Sequence, residues 1–257
     1  MEPVYIFTWD NISANAYTYG SQITYPESMS VQYQNSLQPS GRPLYTWASL
    51  RLDAESTTRQ NNVLPILEPG VNYHLILDME VTPVQSVGIN IEFFDYDGQR
   101  IDQHFGVEEN LDFVYPEQAA DYKISLVKFN NEQVIFKALI LLKTEFQNEY
   151  ALNWYHNDQV ISFTHKQNQQ PFDQVSIILK YHSQPVDTVY VHSNAQATYN
   201  IEMAPMSSNQ IKPFVQGLLA ELKVEWAQTT QIEVNGIGLG TAEVVEQFKQ
   251  SWQTIIR

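Results

Sequence analysis

Between residue 4 and about residue 144, helical periodicity is hard to find, and short apolar segments instead alternate with turn signals. That pattern constrains the fold most. Tyr73–Val81 reads as a strand that Thr82-Pro83 stops, because proline cannot donate to a sheet ladder. Val87–Phe94 follows, Asp95-Tyr96-Asp97-Gly98 turns the chain, and Ile101–Phe105 returns it. Lys123–Phe129 mostly alternates polar and apolar residues, with a slip at Val127, as a half-buried strand does. Asn130-Asn131-Glu132 is a further turn, and Val134–Leu142 is nearly continuous in apolar residues, as a strand covered on both faces would be. Many short strands at turn-bounded spacing predict a β-sandwich of the jelly-roll type.

Within the first strands, Tyr33-Gln34-Asn35-Ser36-Leu37-Gln38-Pro39-Ser40-Gly41 contains a Pro-Ser-Gly turn, and Trp47 lies six residues beyond it. The turn separates aromatic-rich strands at Gly20–Tyr25 and Leu44–Trp47. Proline fixes one turn torsion and glycine permits a positive one, so the segment reads as a rigid corner.

The pattern changes near Glu145–His156. Strand signals at Val175–Tyr181, Thr188–His192 and Ala197–Met203 precede a helix that Ser207 or Ser208 can cap and that runs to about Trp226. Pro213 falls in its first turn or two, while Val215, Leu218, Leu219, Leu222 and Trp226 share a face. Ile232–Asn235 reads as a strand, Gly236-Ile237-Gly238-Leu239-Gly240 follows, and Thr241 caps a last helix carrying Val244, Val245, Phe248 and Trp252. The expected organisation is a β-sandwich domain over 1–145 and a small α/β domain over 146–257.

Composition narrows the function. The net charge of −15 repels phosphate backbones and anionic lipid, which argues against nucleic-acid binding. The absence of cysteine excludes disulfides and thiolate chemistry. The N-terminal residues lack a basic n-region, and Val134–Leu142 is far short of the ~20 residues of a membrane helix. These readings predict a cytoplasmic protein, peripheral at a membrane through its partners.

Catalytic patterns fail one by one. A dinucleotide fingerprint needs a third glycine three positions after the second, where Thr241 or Glu243 stands. A nucleophile elbow, Gly-x-Ser-x-Gly, would place its hydroxyl at Gly238, so this would be a dead elbow. A tight strand-to-helix turn that needs small residues explains the glycines best. Asp95-Tyr96-Asp97-Gly98 resembles the start of a calcium loop, but the rest of such a loop is missing, and a plain Asp-Gly hairpin fits better. The six histidines show no helical zinc pair. No enzyme is expected, and no cofactor, with structural calcium kept open.

Rings beside the turns remain. The chain holds 15 tyrosines, 12 phenylalanines and 5 tryptophans, more than a helical bundle usually needs. Exposed rings can stack on the apolar faces of sugars while Asn, Gln and Asp fix the hydroxyls. Tyr19, Tyr45, Trp47 and Tyr96 are the candidate carbohydrate- or partner-binding residues. Most of the ring set is expected in the core, with Trp47 able to belong to either class.

Five motifs in order carry a resemblance. They are Tyr17-x-Tyr19-Gly20-Ser21-x-Ile23; Asn35-x-Leu37-x-Pro39-Ser40-Gly41 with Trp47 and Ser49; Leu64-Pro65-x-Leu67-x-x-Gly70-x-x-Tyr73; Ile91-Glu92-Phe93-Phe94-Asp95-x-x-Gly98; and Phe113-x-Tyr115-Pro116-x-x-Ala119 with Tyr122, Ile124 and Leu126. This set resembles the third of the accessory Sec system proteins of Gram-positive bacteria, over residues 4–142. The family usually has Asn-Pro-Leu-Met-Pro-Ser-Gly, whereas Ser36 and Gln38 stand here, a departure expected to loosen the corner slightly.

The resemblance implies a non-catalytic β-sandwich similar to carbohydrate-binding modules. It implies assembly with a glycosyltransferase-like and an O-acetyltransferase-like accessory Sec protein. It also implies service to the accessory Sec motor ATPase in exporting glycosylated serine-rich repeat adhesins. The C-terminal domain looks like a degenerate fragment of the hydrolase-like partner's fold. A stand-alone carbohydrate-binding protein, or a hydrolase acting through that domain, remain the alternatives.

Overall fold

Alternating inward residues build two facing sheets in the first half of the chain. The computed structural model describes residues 2–9, 16–25, 30–49, 64–155, 160–166, 174–181, 186–203, 206–225, 231–238 and 240–255. The chain divides into two compact units: Val4–Glu145 with Gln184–Thr188, and Phe146–Ser183 with Val189–Arg257 and Met1–Pro3.

In the first unit the strands are β1 (Glu2–Phe7), β2 (Gln22–Thr24), β3 (Val31–Gln34), β4 (Pro43–Ala48), β5 (Asn72–Thr82), β6 (Val87–Phe94), β7 (Arg100–Gly106), β8 (Asn110–Val114), β9 (Asp121–Lys128) and β10 (Gln133–Lys143). β10 is the spine of one sheet. Along its whole length it pairs antiparallel with β5, which pairs with β8. On its other side the N-terminal half meets β3, beside β2, and the C-terminal half meets β1. The second sheet is antiparallel in the order β4-β9-β6-β7.

The inner faces meet in one core. Phe7, Val31, Tyr33, Leu75, Leu77, Val134, Phe136, Leu139 and Leu141 of the first sheet pack with Tyr45, Trp47, Ile89, Ile91, Phe93, Tyr122, Ile124 and Leu126 of the second. A register shift between Phe136 and Ala138 explains how a continuous apolar run still alternates: Val134 and Phe136 face inward before it, Leu139 and Leu141 after it. Ala138, Ile140 and Leu142, of opposite parity, are buried as well, so β10 is covered on both faces as expected.

The second unit begins with α1 (Thr144–Glu149), β11 (Tyr150–Tyr155), β12 (Val160–His165) and β13 (Gln174–Tyr181). β14 (Val186–Val191) runs out of the first unit's sheet, where it takes the edge beside β1. β15 (Ala197–Met203), α2 (Ser208–Glu225), β16 (Gln231–Ile237) and α3 (Ala242–Ile255) complete the chain. The sheet order is β11-β12-β15-β13-β16, antiparallel up to β15 and parallel beyond it. Ile211, Val215 and Leu219 of α2 and Val244 and Phe248 of α3 bury against Val175, Ile177, Leu179, Tyr199 and Val234.

Ser207 precedes α2, and Gln210 Oε1 accepts from its N–H at 3.0 Å and from its hydroxyl at 2.6 Å, so the side chain of Gln210 caps back on Ser207. Trp226, and the side chain of Leu222, lie outside the described residues. A β-sandwich followed by a small α/β unit is thus the fold class that the sequence led us to expect.

Candidate functional site

Asn35 organises the corner. It ends β3, and its Oδ1 accepts from the backbone N–H groups of Leu37 and Gln38, both at 2.9 Å. A side chain that replaces turn hydrogen bonds in this way pins the backbone. Asn35 Nδ2 donates to Tyr19 O at 2.9 Å and reaches Tyr33 Oη at 3.3 Å. Tyr33 Oη lies 2.8 Å from Gln38 Oε1, and Gln38 Nε2 donates to Pro43 O at 2.8 Å. Burial pushes the Tyr33 hydroxyl above the ordinary tyrosine range, with Asn35 opposing the shift. The expectation that Gln38 loosens the corner is corrected: both ends of its amide are tied, and it is buried. Gly41 closes the turn at φ +82°, where a side chain would be strained.

The next wall comes from β9. Tyr122, Ile124 and Leu126 face the core, and Lys128 is the next residue of the same parity. It points inward where the apolar core gives way to the corner. Its ammonium donates to Asn35 O and, at 3.2 Å, to Asn131 O. Backbone bonds from Gly41 N to Lys128 O (2.7 Å) and from Lys128 N to Arg42 O (2.9 Å) join the same pieces. Burial pushes the Lys128 ammonium below the ordinary lysine range.

Between these walls lies a cavity of about 570 Å³ lined by Gly20, Gln22, Gln34, Asn35, Ser36, Gln38, Lys128, Phe129, Asn130, Asn131 and Glu132. Amides dominate it. Each amide both donates and accepts, as a hydroxyl does, so the lining matches a hydroxyl-rich ligand. Tyr19 and Leu37 stand exposed beside it, and Leu37 packs over Gly20.

The four ring candidates separate. Tyr19 and Tyr96 are 75% and 77% exposed. Tyr45 and Trp47 are both 0% exposed, with ring centroids 4.6 Å apart, and Trp47 sits 5.6 Å from Phe136. For these two the surface role gives way to a packing role, because their inward parity on β4 sets them between the sheets. None of the four lines the corner cavity; Tyr19 adjoins it in the chain, next to the lining residue Gly20, and its backbone carbonyl accepts from Asn35 Nδ2. Lys128 and Asn131 escaped sequence reasoning; the only signal was a lysine continuing the inward parity of β9.

The Asp95 carboxylate is spent on its own turn. Asp95 Oδ1 accepts from Asp97 N (3.0 Å) and Gln99 N (2.8 Å), closing a plain hairpin with Gly98 at φ +76°. Among the described residues no group of three or more metal-ligating acids or histidines assembles.

At the glycine run between β16 and α3, a Cβ on Gly236 would lie 2.3 Å from Thr241 Oγ1 and 3.0 Å from Val245. Gly238 has φ +87° and open space where its side chain would project. Thr241 Oγ1 donates to Gly238 O at 3.1 Å rather than capping the helix through its side chain. The junction is a tight strand-to-helix turn without a nucleophile at its apex.

The family described as accessory Sec secretory system ASP3 matches residues 16–143. The accessory Sec system protein of this family from Staphylococcus aureus is 30% identical over 187 residues, 73% of this chain and 55% of its own length. Its namesake from Streptococcus gordonii is 32% identical over 123 residues, 48% of this chain and 76% of its own. The chain therefore spans about half the length of the staphylococcal relative and three quarters of the streptococcal one. A chain of the Glycosylation Associate Protein (Gap123) complex from Streptococcus agalactiae shares the fold, with a TM-score of 0.52 and 24% identity over 91% of this chain and 71% of that one.

Proposed function

The chain belongs to the accessory Sec secretory system ASP3 family, and we propose that it serves protein export as a non-catalytic subunit that contacts sugar at the Asn35–Asn131 corner. In this reading it joins a glycosyltransferase-like and an O-acetyltransferase-like accessory Sec protein. Together they assist the motor ATPase in exporting glycosylated serine-rich repeat adhesins. It works on the cytoplasmic side, reaching the membrane through those partners; no described helix is long and apolar enough to cross one.

One observation carries the sugar contact: the amide-lined cavity beside exposed Tyr19. Hydroxyls of a glycan would replace the water on Gln22, Gln34 and Asn130, while the Tyr19 ring offers a stacking face. The partner half draws support from the Streptococcus agalactiae fold match, whose chain is part of a complex.

Two measurements test the reading. Isolation of the tagged chain from its host is expected to recover both partner proteins, and recovery of neither would sink the assembly role. Titration with an N-acetylglucosamine-bearing glycopeptide is expected to saturate and to weaken severalfold in Tyr19→Ala. A glycopeptide that does not bind at all removes the sugar contact.

A further inference from the structure

The corner cavity contains a charge that a neutral sugar leaves unmatched. Lys128 is 5% exposed, and among the described residues its ammonium donates only to the neutral carbonyls of Asn35 and Asn131. Among the described residues no carboxylate lies within ion-pair distance of it. Beside it Asn131, itself buried, has neither its side-chain oxygen nor its side-chain nitrogen in a hydrogen bond. Both features are unfavourable as they stand. A desolvated cation needs an anion, and a buried amide needs partners.

Glu132 also lines the cavity, but it is exposed on the rim and makes no ion pair with Lys128. The Lys128 ammonium and the Asn131 side-chain N–H share one need, an acceptor. A carboxylate accepts from an ammonium and from an amide N–H together, in charge-assisted bonds about twice as strong as neutral ones. The rest of the lining is suited to hydroxyls: Gln22 and Gln34 are cross-strand partners on β2 and β3, and Asn130 adds a third amide. At about 570 Å³ the space falls within the roughly 300–1,000 Å³ of small-molecule sites.

We propose that the corner cavity is a site for an acidic sugar, whose ring hydroxyls meet Gln22, Gln34 and Asn130 and whose carboxylate neutralises Lys128 and engages Asn131. The proposal rests on the corner being the sugar-contact surface. It adds the chemical class of that sugar. Lys128 becomes the residue that selects the acid, and the unpaired Asn131 amide becomes its second donor.

Calorimetric titration of the full chain with d-glucuronate and, in a separate arm, d-glucose tests this. Glucuronate is expected to bind on the order of tenfold tighter than glucose. Lys128→Gln is expected to abolish the preference for the acid and to bring the two affinities within about twofold of each other. Equal binding of both sugars by the unaltered chain overturns the acidic ligand and leaves the hydroxyl-sugar reading standing. Failure of both sugars to bind removes both. A Lys128→Gln protein that still prefers glucuronate overturns the role of Lys128. Should that variant not fold, the glucuronate–glucose comparison on the unaltered chain decides, and Gln22→Ala at the exposed rim reports the hydroxyl contacts by weakening both sugars.

Discussion

The corner at Asn35–Gly41 and the junction at Gly236–Gly240 are both glycine-bearing turns at the end of a strand, and Asn35 and Gln38 of the first line a polar cavity. At the corner, the backbone needs of the turn are met by Asn35 and Gln38, so the amides of Gln22, Gln34 and Asn130 remain to face space. At the junction the glycines serve close packing: Gly236 meets Thr241 and Val245, and Gly240 meets Tyr181. A glycine run therefore reports only that a chain must bend sharply. Whether the bend is a site depends on what its neighbours leave unbonded.

The largest test of that contrast lies behind the corner. Trp47 is fully buried against Tyr45 and Phe136 and donates to Thr8 O at 3.3 Å. Trp47→Ala is expected to cost about 3–5 kcal/mol of stability, read by denaturant unfolding. A loss below about 1 kcal/mol would mean that the ring is not a wall and would return it to the ligand candidates.

Alkaline pH gives the next effect, at another part of the same ring core. Burial pushes the Tyr115 hydroxyl up to about 12, with Asp121, Tyr73 and Tyr96 adding to the shift. The folded value is raised above the unfolded one, so its stabilising contribution is complete below about pH 10 and is lost between about 10 and 12. Two units correspond to about 2.7 kcal/mol at most. Tyr115→Phe should flatten the fall in stability over that window, and an unchanged slope would show that the group is not shifted.

The junction comes next. Gly236→Ala places a Cβ against Thr241 and Val245, and is expected to cost the second unit about 1–3 kcal/mol. Gly238→Ala meets no atom and pays only for its positive φ, about 1 kcal/mol. Reversal of that order would break the packing account of the glycine run. The smallest expected effect on stability is at the surface: Tyr19→Ala and Tyr96→Ala should each stay within about 0.5 kcal/mol. Only Tyr19→Ala should weaken glycopeptide binding, since Tyr19 adjoins the lining residue Gly20 and Tyr96 adjoins none; an equal loss from Tyr96→Ala would move the contact surface to the Asp95 turn.

Local chemistry made much of this legible beforehand. Turn signals bounded β5, β6 and β7, alternation marked β9, and Asp95 and Gly98 marked the β6–β7 hairpin. Asn35, Pro39 and Gly41 announced the corner. The β10 run betrayed burial on both faces but not the shift at Lys137, because a bulge changes parity without changing composition. Half of the site escaped as well. Lys128 lies 93 positions from the Asn35 carbonyl that it holds, and a lysine in an alternating strand ordinarily points to water. Asn131 read as a turn residue, and nothing in a turn signal says that its amide ends up buried and unpaired.

By itself the sequence determined the succession of strands, the bend at Pro39–Gly41, the strand-to-helix turn at Gly236–Gly240 and the family, because each depends on residues near one another or on motifs in fixed order. The tertiary structure alone decided that Tyr45 and Trp47 are core while Tyr19 is surface, and that Lys128 meets Asn35. Those outcomes follow from strand register and sheet pairing, which join residues from distant parts of the chain. The same ring or ammonium can serve burial or binding, and only the neighbours that pairing brings decide which.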